Sequence, residues 1–177
     1  YKVVKFYDYD TLCKYLHRGF CIIIVSSENV GLALETKANI NRSVGIPDSE
    51  NTIRGPKDAF VENYQINIGL IKKRIKTNDL WIDEVNIGRY TDTQIGVLSI
   101  NGVVKRELVD EVIGKLKKID ISGIINSDMV KNLIEKETKC LLPTIISTER
   151  PDVVSNALLE GKVAIVIDNS PYVLILS

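Results

Sequence analysis

The sequence LLEGKVAIVIDNSPYVLILS, residues 158–177, decides the fold that we predict for this chain. Its glycine, Gly161, is the residue type that most readily takes the left-handed conformation at the end of a helix. Two apolar runs follow, at 163–167 and 173–176, and a polar turn separates them. This pattern is typical of a short helix that leads into a β-hairpin.

The same unit occurs a second time near the start of the chain. Residues 16–35, LHRGFCIIIVSSENVGLALE, align with residues 158–177 without a gap. Any helix followed by a glycine and a hairpin would look similar over a few residues. The alignment continues through the turn and both strands, however, which favours a duplication of one helix–glycine–hairpin unit.

The sequence between the two copies predicts further helices and strands. Apolar side chains at intervals of three and four residues predict a helix over 57–76. Residues 80–87 and 93–100 are predicted strands joined by a turn, and residues 107–119 are a predicted helix. Ser127 is a residue type that can cap the start of another short helix.

These elements predict an α/β fold of two small subdomains with mixed sheets. Residues 1–36 would be the C-terminal part of the first subdomain, and residues 57–177 would be the second. The stretch between them, residues 37–56, contains glycine, proline and many polar residues, which indicates a linker. Such a linker would let the two units change their relative orientation. Because the first unit holds only the end of the repeat, we expect sequence to precede Tyr1 in the whole protein.

The composition argues against several classes of function. Lys plus Arg and Asp plus Glu are equal at 23 each, whereas a nucleic-acid-binding protein normally shows a basic excess. The longest apolar runs fall well short of the roughly 18 residues that span a bilayer. Three cysteines without CxxC spacing indicate reduced thiols. A single histidine, His17, leaves no plausible zinc cluster or catalytic pair, so we expect no metal, no cofactor and no catalytic residues.

An Arg-Gly-Pro triplet that begins at Arg54 precedes the predicted helix over 57–76. Backbone N–H groups at a helix start can hold an anion, but no glycine-rich cradle accompanies this triplet. A hinge loop pinned by Arg54 is therefore the favoured interpretation. Glu62 and Asn67 lie within the same predicted helix, and Asn67 is beside its apolar stripe. A buried asparagine at such a position usually hydrogen-bonds to neighbouring backbone groups.

A TERPD cluster begins another predicted helix. Pro151 suits the first turn because its missing N–H is harmless there. Asp152 suits it because a carboxylate is stabilised by the positive end of the helix dipole. Glu149 and Arg150 could pair with each other or contact the Arg-Gly-Pro triplet. We expect these charged residues to act through local structure.

Several motifs follow one another in a definite order. An Arg-Ser…Pro…Glu…Arg-Gly-Pro…Phe-x-Glu-Asn pattern occupies residues 42–63. A Gly-Arg-x-Thr-x-Thr turn lies at 88–93 and includes Arg89, and an Ile-Asp-Ile-x-Gly-Ile stretch lies at 119–124. The TERPD cluster and a Leu-Leu-Glu-Gly hairpin then follow. In this order and spacing the motifs resemble the N-terminal soluble domain of the A subunits of spore germinant receptors, the GerA family of endospore-forming bacteria.

The resemblance covers roughly residues 10–177 and implies a function. It implies the hydrophilic head of a receptor subunit that acts in sensing nutrients such as amino acids or sugars. The implied partners are the receptor's B and C subunits, with possible homo-oligomers through the A subunit. The implied location is the spore-core (cytoplasmic) side of the inner spore membrane, with a membrane region after the head. The residues singled out for ligand binding or inter-subdomain contact are Arg54, Glu62, Asn67, Arg89, Glu149, Arg150 and Asp152.

Two other functions stay open at this point. One is a nutrient-binding module that holds a small molecule in the cleft between the subdomains, since such clefts are usual ligand sites. The other is a small α/β enzyme. The absence of a nucleophile–base pair, and of glycine-rich nucleotide-binding or hydrolase motifs, argues against the enzyme.

Overall fold

The computed structural model describes residues 3–25, 28–35, 56–124, 126–136 and 145–177. The predicted linker, residues 37–56, therefore lies outside the described residues apart from Pro56. In chain order the described elements are β1 (Val3–Phe6), α1 (Tyr9–His17), β2 (Phe20–Ile24), β3 (Gly31–Glu35), α2 (Tyr64–Arg74), β4 (Leu80–Ile87), β5 (Thr93–Ile100), α3 (Arg106–Lys118), α4 (Ser127–Lys136), β6 (Ile145–Thr148), α5 (Pro151–Leu159), β7 (Val163–Ile167) and β8 (Val173–Leu176).

The strands form two sheets. The smaller has the order β1-β3-β2, and the larger has the order β4-β5-β7-β8-β6. The predicted α/β class is confirmed. The sheets were expected to be mixed, but every pairing between the described strands is antiparallel. The reason lies in the β6-α5-β7 crossover. It makes β6 and β7 run in the same direction, but β8 folds back between them and pairs with both.

The core lies on both faces of the larger sheet. All five residues of β7 are buried, so its side chains alternate between two apolar layers. Val163, Ile165 and Ile167 pack in a layer with residues of α3 and α4. Ala164 and Val166 pack in the opposite layer, with residues of α2 and α5. The continuous apolar run that marks this strand in the sequence is thus explained by burial on both sides.

The repeat is confirmed, and it extends beyond the helix and hairpin. The first copy superposes its elements on the second so that Val3 corresponds to Ile145 and Gly19 to Gly161. Both glycines have positive φ angles, 76° and 84°. Strand register is conserved too, because β1 pairs Val3 with Leu34 and β6 makes the matching pair of Ile145 with Leu176. The shared unit is therefore strand, helix and hairpin, with the last strand in the middle.

The helix predicted over 57–76 is shorter at both ends. It begins at Tyr64, after Asn63, whose side-chain oxygen accepts a hydrogen bond from the Ile66 N–H at 3.0 Å. Upstream, the Phe60 N–H donates to the Glu149 carbonyl at 2.8 Å. That bond draws the chain before Asn63 across to the β6–α5 connection, so it cannot join the helix. The Arg-Gly-Pro triplet consequently does not start α2.

The cap predicted for α4 is also displaced by one residue. The Asn126 side chain, and not that of Ser127, accepts the Met129 N–H at 3.0 Å. Ser127 is instead buried at the first position of the helix. Asparagine and serine are comparable as caps, so the sequence pattern did not distinguish them.

Candidate functional site

Asn67 is the most enclosed of the predicted site residues, with no exposed surface. Its side-chain oxygen accepts the Val61 N–H at 2.8 Å, and its amide donates to the Val61 carbonyl at 2.5 Å. A longer bond, 3.4 Å, runs to the Ser170 carbonyl. The amide thus replaces a strand-like partner for Val61 and ties it to the β7–β8 turn. The predicted backbone-bonding role for Asn67 agrees with these contacts.

The β7–β8 turn sits directly against the start of α2. Asp168 accepts the Tyr64 N–H at 3.2 Å, which satisfies one of the helix's unpaired first-turn donors. Asn169, which has a positive φ of 62°, donates its N–H to the Glu62 carbonyl at 2.8 Å. The Glu62 side chain itself is exposed. Glu62 therefore contributes to this junction through its backbone, and it lies before α2 and not within it.

Tyr64 makes a buried polar contact that the sequence analysis missed. Its hydroxyl donates to the Glu84 carboxylate at 3.0 Å, and burial, followed by that bond, raises the pKa of Tyr64 well above its ordinary value. Gly96 leaves the room for this ring, because a Cβ there would collide with the Tyr64 hydroxyl. A glycine inside an otherwise apolar strand is the sequence signal that could have pointed to it.

The TERPD cluster forms a compact helix start. Arg150 donates two hydrogen bonds to the Asp152 carboxylate, at 3.2 and 2.6 Å. Partial burial raises the pKa of Asp152, but the bonds and charge of Arg150 outweigh burial, so the pKa lies below its ordinary value. The Arg150 N–H also donates to the Thr148 hydroxyl at 3.1 Å. Pro151 is the first residue of α5, as predicted.

Glu149 is buried, with 6% of its surface exposed. Its carbonyl accepts the Phe60 N–H, so the TERPD cluster and the segment before α2 meet at this residue. Arg54 lies outside the described residues, and its predicted association with the acidic residues of the TERPD cluster stays a prediction.

Arg89 belongs to a different junction. Its guanidinium makes two bonds to the Asp120 carboxylate, at 2.9 and 3.2 Å, on an exposed surface. Its N–H donates to the Ile121 carbonyl at 3.0 Å. The Thr91 hydroxyl accepts the Ile124 N–H at 3.1 Å. The two motifs at 88–93 and 119–124 are therefore two halves of one clamp, which joins the β4–β5 turn to the connection between α3 and α4.

The structure thus divides the predicted site residues between two places. Glu62, Asn67, Glu149, Arg150 and Asp152 lie around the α2 and α5 helix starts, and Arg89 lies at the clamp. In both places the polar groups bond to backbone or to each other. Within the described ranges, no three His, Cys, Asp or Glu side chains gather as metal ligands would. Over the same ranges no helix is both long and apolar enough to cross a membrane.

Comparison with known proteins gives consistent similarities. A family model described as Bacillus/Clostridium GerA spore germination protein matches residues 1–177. The chain is 38% identical over 168 residues to spore germination protein KA of Bacillus subtilis, which covers 95% of this chain and 31% of that protein. It is also 38% identical over 157 residues to spore germination protein B1 of the same species, covering 89% of this chain and 32% of that protein. The chain thus spans about a third of these relatives.

A solved structure has the same fold. It is the crystal structure of the N-terminal domain of the A subunit of the Bacillus megaterium spore germinant receptor GerK3. The two agree with a TM-score of 0.72 and 35% sequence identity, over 99% of this chain and 62% of that chain.

Proposed function

Because this chain belongs to the Bacillus/Clostridium GerA spore germination protein family, we propose that it is part of the N-terminal head of a germinant receptor A subunit. The observation that carries the proposal is the match of 99% of the chain to the N-terminal domain of such a subunit, at 35% identity and a TM-score of 0.72. The head acts in nutrient-triggered germination as an element of receptor assembly and signal transduction. It has no catalytic role.

The contacts of the motif residues support a structural and signalling role. Asn67, Glu62 and Asp168 connect α2 to the β7–β8 turn through backbone groups. The clamp connects the β4–β5 turn to the far side of the sheet. Networks of this kind make the larger sheet and its helices move as one body, which is what transmission of a conformational change requires.

We propose that residues 1–36 and 57–177 act as two such bodies, joined by residues 37–56. The separate sheets β1-β3-β2 and β4-β5-β7-β8-β6 support this division. Small-angle scattering of the purified chain tests it. A change in relative orientation requires a mixture of arrangements to fit the profile, and a full fit by one rigid particle would contradict the proposal.

The receptor's B and C subunits are the proposed partners, and the core side of the inner spore membrane is the proposed location. Both come from the family to which the chain belongs. The test is a spore strain in which the subunit lacks residues 1–177 but keeps the rest of its sequence. We expect nutrient-triggered germination to be lost and the B and C subunits to fall in abundance. Normal germination in those spores would disprove the proposal.

A nutrient-binding module predicts a different result for the purified chain. A ligand that binds the folded state raises the melting temperature in a concentration-dependent way. We expect no saturable shift from amino acids or sugars. A saturable shift would assign nutrient recognition to this head, in addition to assembly.

A further inference from the structure

The two copies of the repeat differ sharply in what covers them. Ile24 is 66% exposed, whereas its counterpart Val166 is fully buried. Leu16, on α1, is 51% exposed, whereas its counterpart Leu158, on α5, is fully buried. The same contrast holds for three further pairs, Val3 with Ile145, Ile23 with Ile165, and Val25 with Ile167. The first copy therefore keeps apolar residues at positions that only a covered unit needs.

The second copy shows what covers these positions. The edge of β7 that faces away from β8 pairs with β5, from Leu98 opposite Ala164 to Ile95 opposite Ile167. α2 packs in one apolar layer with α5, and α3 and α4 cover the opposite face. Among the described strands, β2 pairs only with β3. The edge at residues 22–25, which corresponds to the edge of β7 bound by β5, has no described partner.

The open edge also lacks the usual protection. Native proteins guard exposed edges with charged residues, prolines or bulges, because a bare apolar edge recruits other strands. Residues 20–25, FCIIIV, contain no charge and no proline. The edge strand β4 of the larger sheet, by contrast, carries Asp83 and Glu84. The pattern at 20–25 is that of an interior strand such as β7.

We propose that a segment of the same polypeptide outside residues 1–177 covers this surface in the whole receptor subunit. It adds an antiparallel strand to β2 at residues 22–25 and packs a helix against α1 at Leu16. The segment resembles the α2-β4-β5-α3-α4 block of the second copy. In the second copy that block precedes β6, so its counterpart precedes β1.

The length of the related domain agrees with this assignment. This chain covers 62% of the crystallised N-terminal domain of the GerK3 A subunit, so more than a third of that domain lies outside the match. Family membership is needed for this step, but a role in signalling is not. A head that proved dispensable for germination would leave the inference intact.

The experiment compares hydrogen exchange of β2 in two proteins, residues 1–177 alone and the full-length subunit in membranes. The outward amides of residues 22–25 should exchange rapidly in residues 1–177 and slowly in the full-length subunit, because strand pairing protects amides from exchange. Equal exchange in the two proteins would overturn the inference. So would protection in residues 1–177 that grows with protein concentration, which would assign the edge to a second copy, or protection that requires the B or C subunit.

A matched pair of substitutions gives an independent readout. Ile24→Lys should leave the melting temperature of residues 1–177 unchanged and should lower the abundance of the full-length subunit, because only there does it bury a charge. Ile146→Lys is the control, since Ile146 is also exposed, at 59%, on an edge strand of the complete copy. It should be tolerated in both proteins. Equal effects of the two substitutions on the full-length subunit would contradict the proposed cover.

Discussion

Single polar side chains hold the connections of this fold at places where regular structure ends. Asn67 bonds both backbone groups of Val61 and reaches Ser170 across the β7–β8 turn. Arg150 and Asp152 close the first turn of α5. A buried side chain that bonds to backbone has few alternatives, because its loss leaves backbone groups without partners. Such residues therefore dominate the energetics at this scale.

Asn67→Ala tests this role directly. The substitution leaves the Val61 N–H and carbonyl buried without their partner, so we expect a loss of about 2 kcal/mol in the free energy of unfolding. Chemical denaturation of residues 1–177 measures it. Gln65→Ala, at an exposed position of the same helix, should change stability by less than about 0.5 kcal/mol. Equal losses for the two variants would show that the Asn67 bonds contribute nothing.

Asp152 predicts a pH dependence. Its folded pKa lies below the ordinary value of 3.8, so its carboxylate contributes stability above that pH and loses it as pH falls through the lowered folded pKa. Asp152→Asn should be less stable than the parent chain near neutral pH, and the two should converge well below pH 3.8. Asp128→Asn, in the exposed first turn of α4, controls for the loss of a carboxylate without the Arg150 bonds. A difference that persists at low pH would contradict the assignment.

At the scale of elements, two glycines inside regular structure have opposite meanings. Gly96 in β5 lies against the Tyr64 ring, whereas Gly114 in α3 has no atom near the position of a Cβ. The first glycine is needed for packing between β5 and α2. The second only weakens its helix, because glycine costs about 1 kcal/mol relative to alanine in a helix interior.

Gly114→Ala should therefore raise the free energy of unfolding by about 0.5–1 kcal/mol. Gly96→Ala should lower it by about 1–3 kcal/mol, because the added methyl group displaces Tyr64 from Glu84. Denaturation of both variants of residues 1–177 checks the two signs. A tolerated Gly96→Ala would mean that α2 shifts at little cost and that the Tyr64–Glu84 bond is dispensable.

At the scale of the whole molecule, the larger sheet is a middle layer between two pairs of helices. Ile71 of α2 is fully buried in one layer, together with Leu158 of α5 and Val166 of β7. Lys73, on the same helix, is exposed. The integrity of the head therefore depends on helix-to-sheet packing more than on any surface charge.

Ile71→Asp places an unpaired charge in that layer, and we expect it to cost about 4 kcal/mol or more and to unfold the head. Spores with this variant should lose receptor abundance and the nutrient response together. Lys73→Ala should preserve both. Measuring the two quantities in the same spores separates folding from signalling. A normal response with Ile71→Asp would contradict a folded head as a requirement for germination.

Local patterns in the sequence were sufficient to predict most of the elements and the repeat. The bounds of β4 and β5, the start of α5 at Pro151 and the two helix–glycine–hairpin units agree with the structure. Each depends on interactions among residues that are close along the chain, such as alternation in a strand or the fixed φ of proline, so a short window contains the information. Family resemblance came from the order of the motifs for the same reason.

Tertiary structure alone decided how these pieces meet. The residues before Asn63 leave the predicted helix because Phe60 bonds to Glu149, far away in sequence. The motifs at 88–93 and 119–124 form one clamp, and β8 inserts between β6 and β7 to make the sheet antiparallel. The covering of Leu158 and the exposure of its counterpart Leu16 are likewise invisible in two nearly equivalent stretches of sequence. All of these are contacts between distant residues, whose free energy depends on what packs beside them and not on their own local pattern.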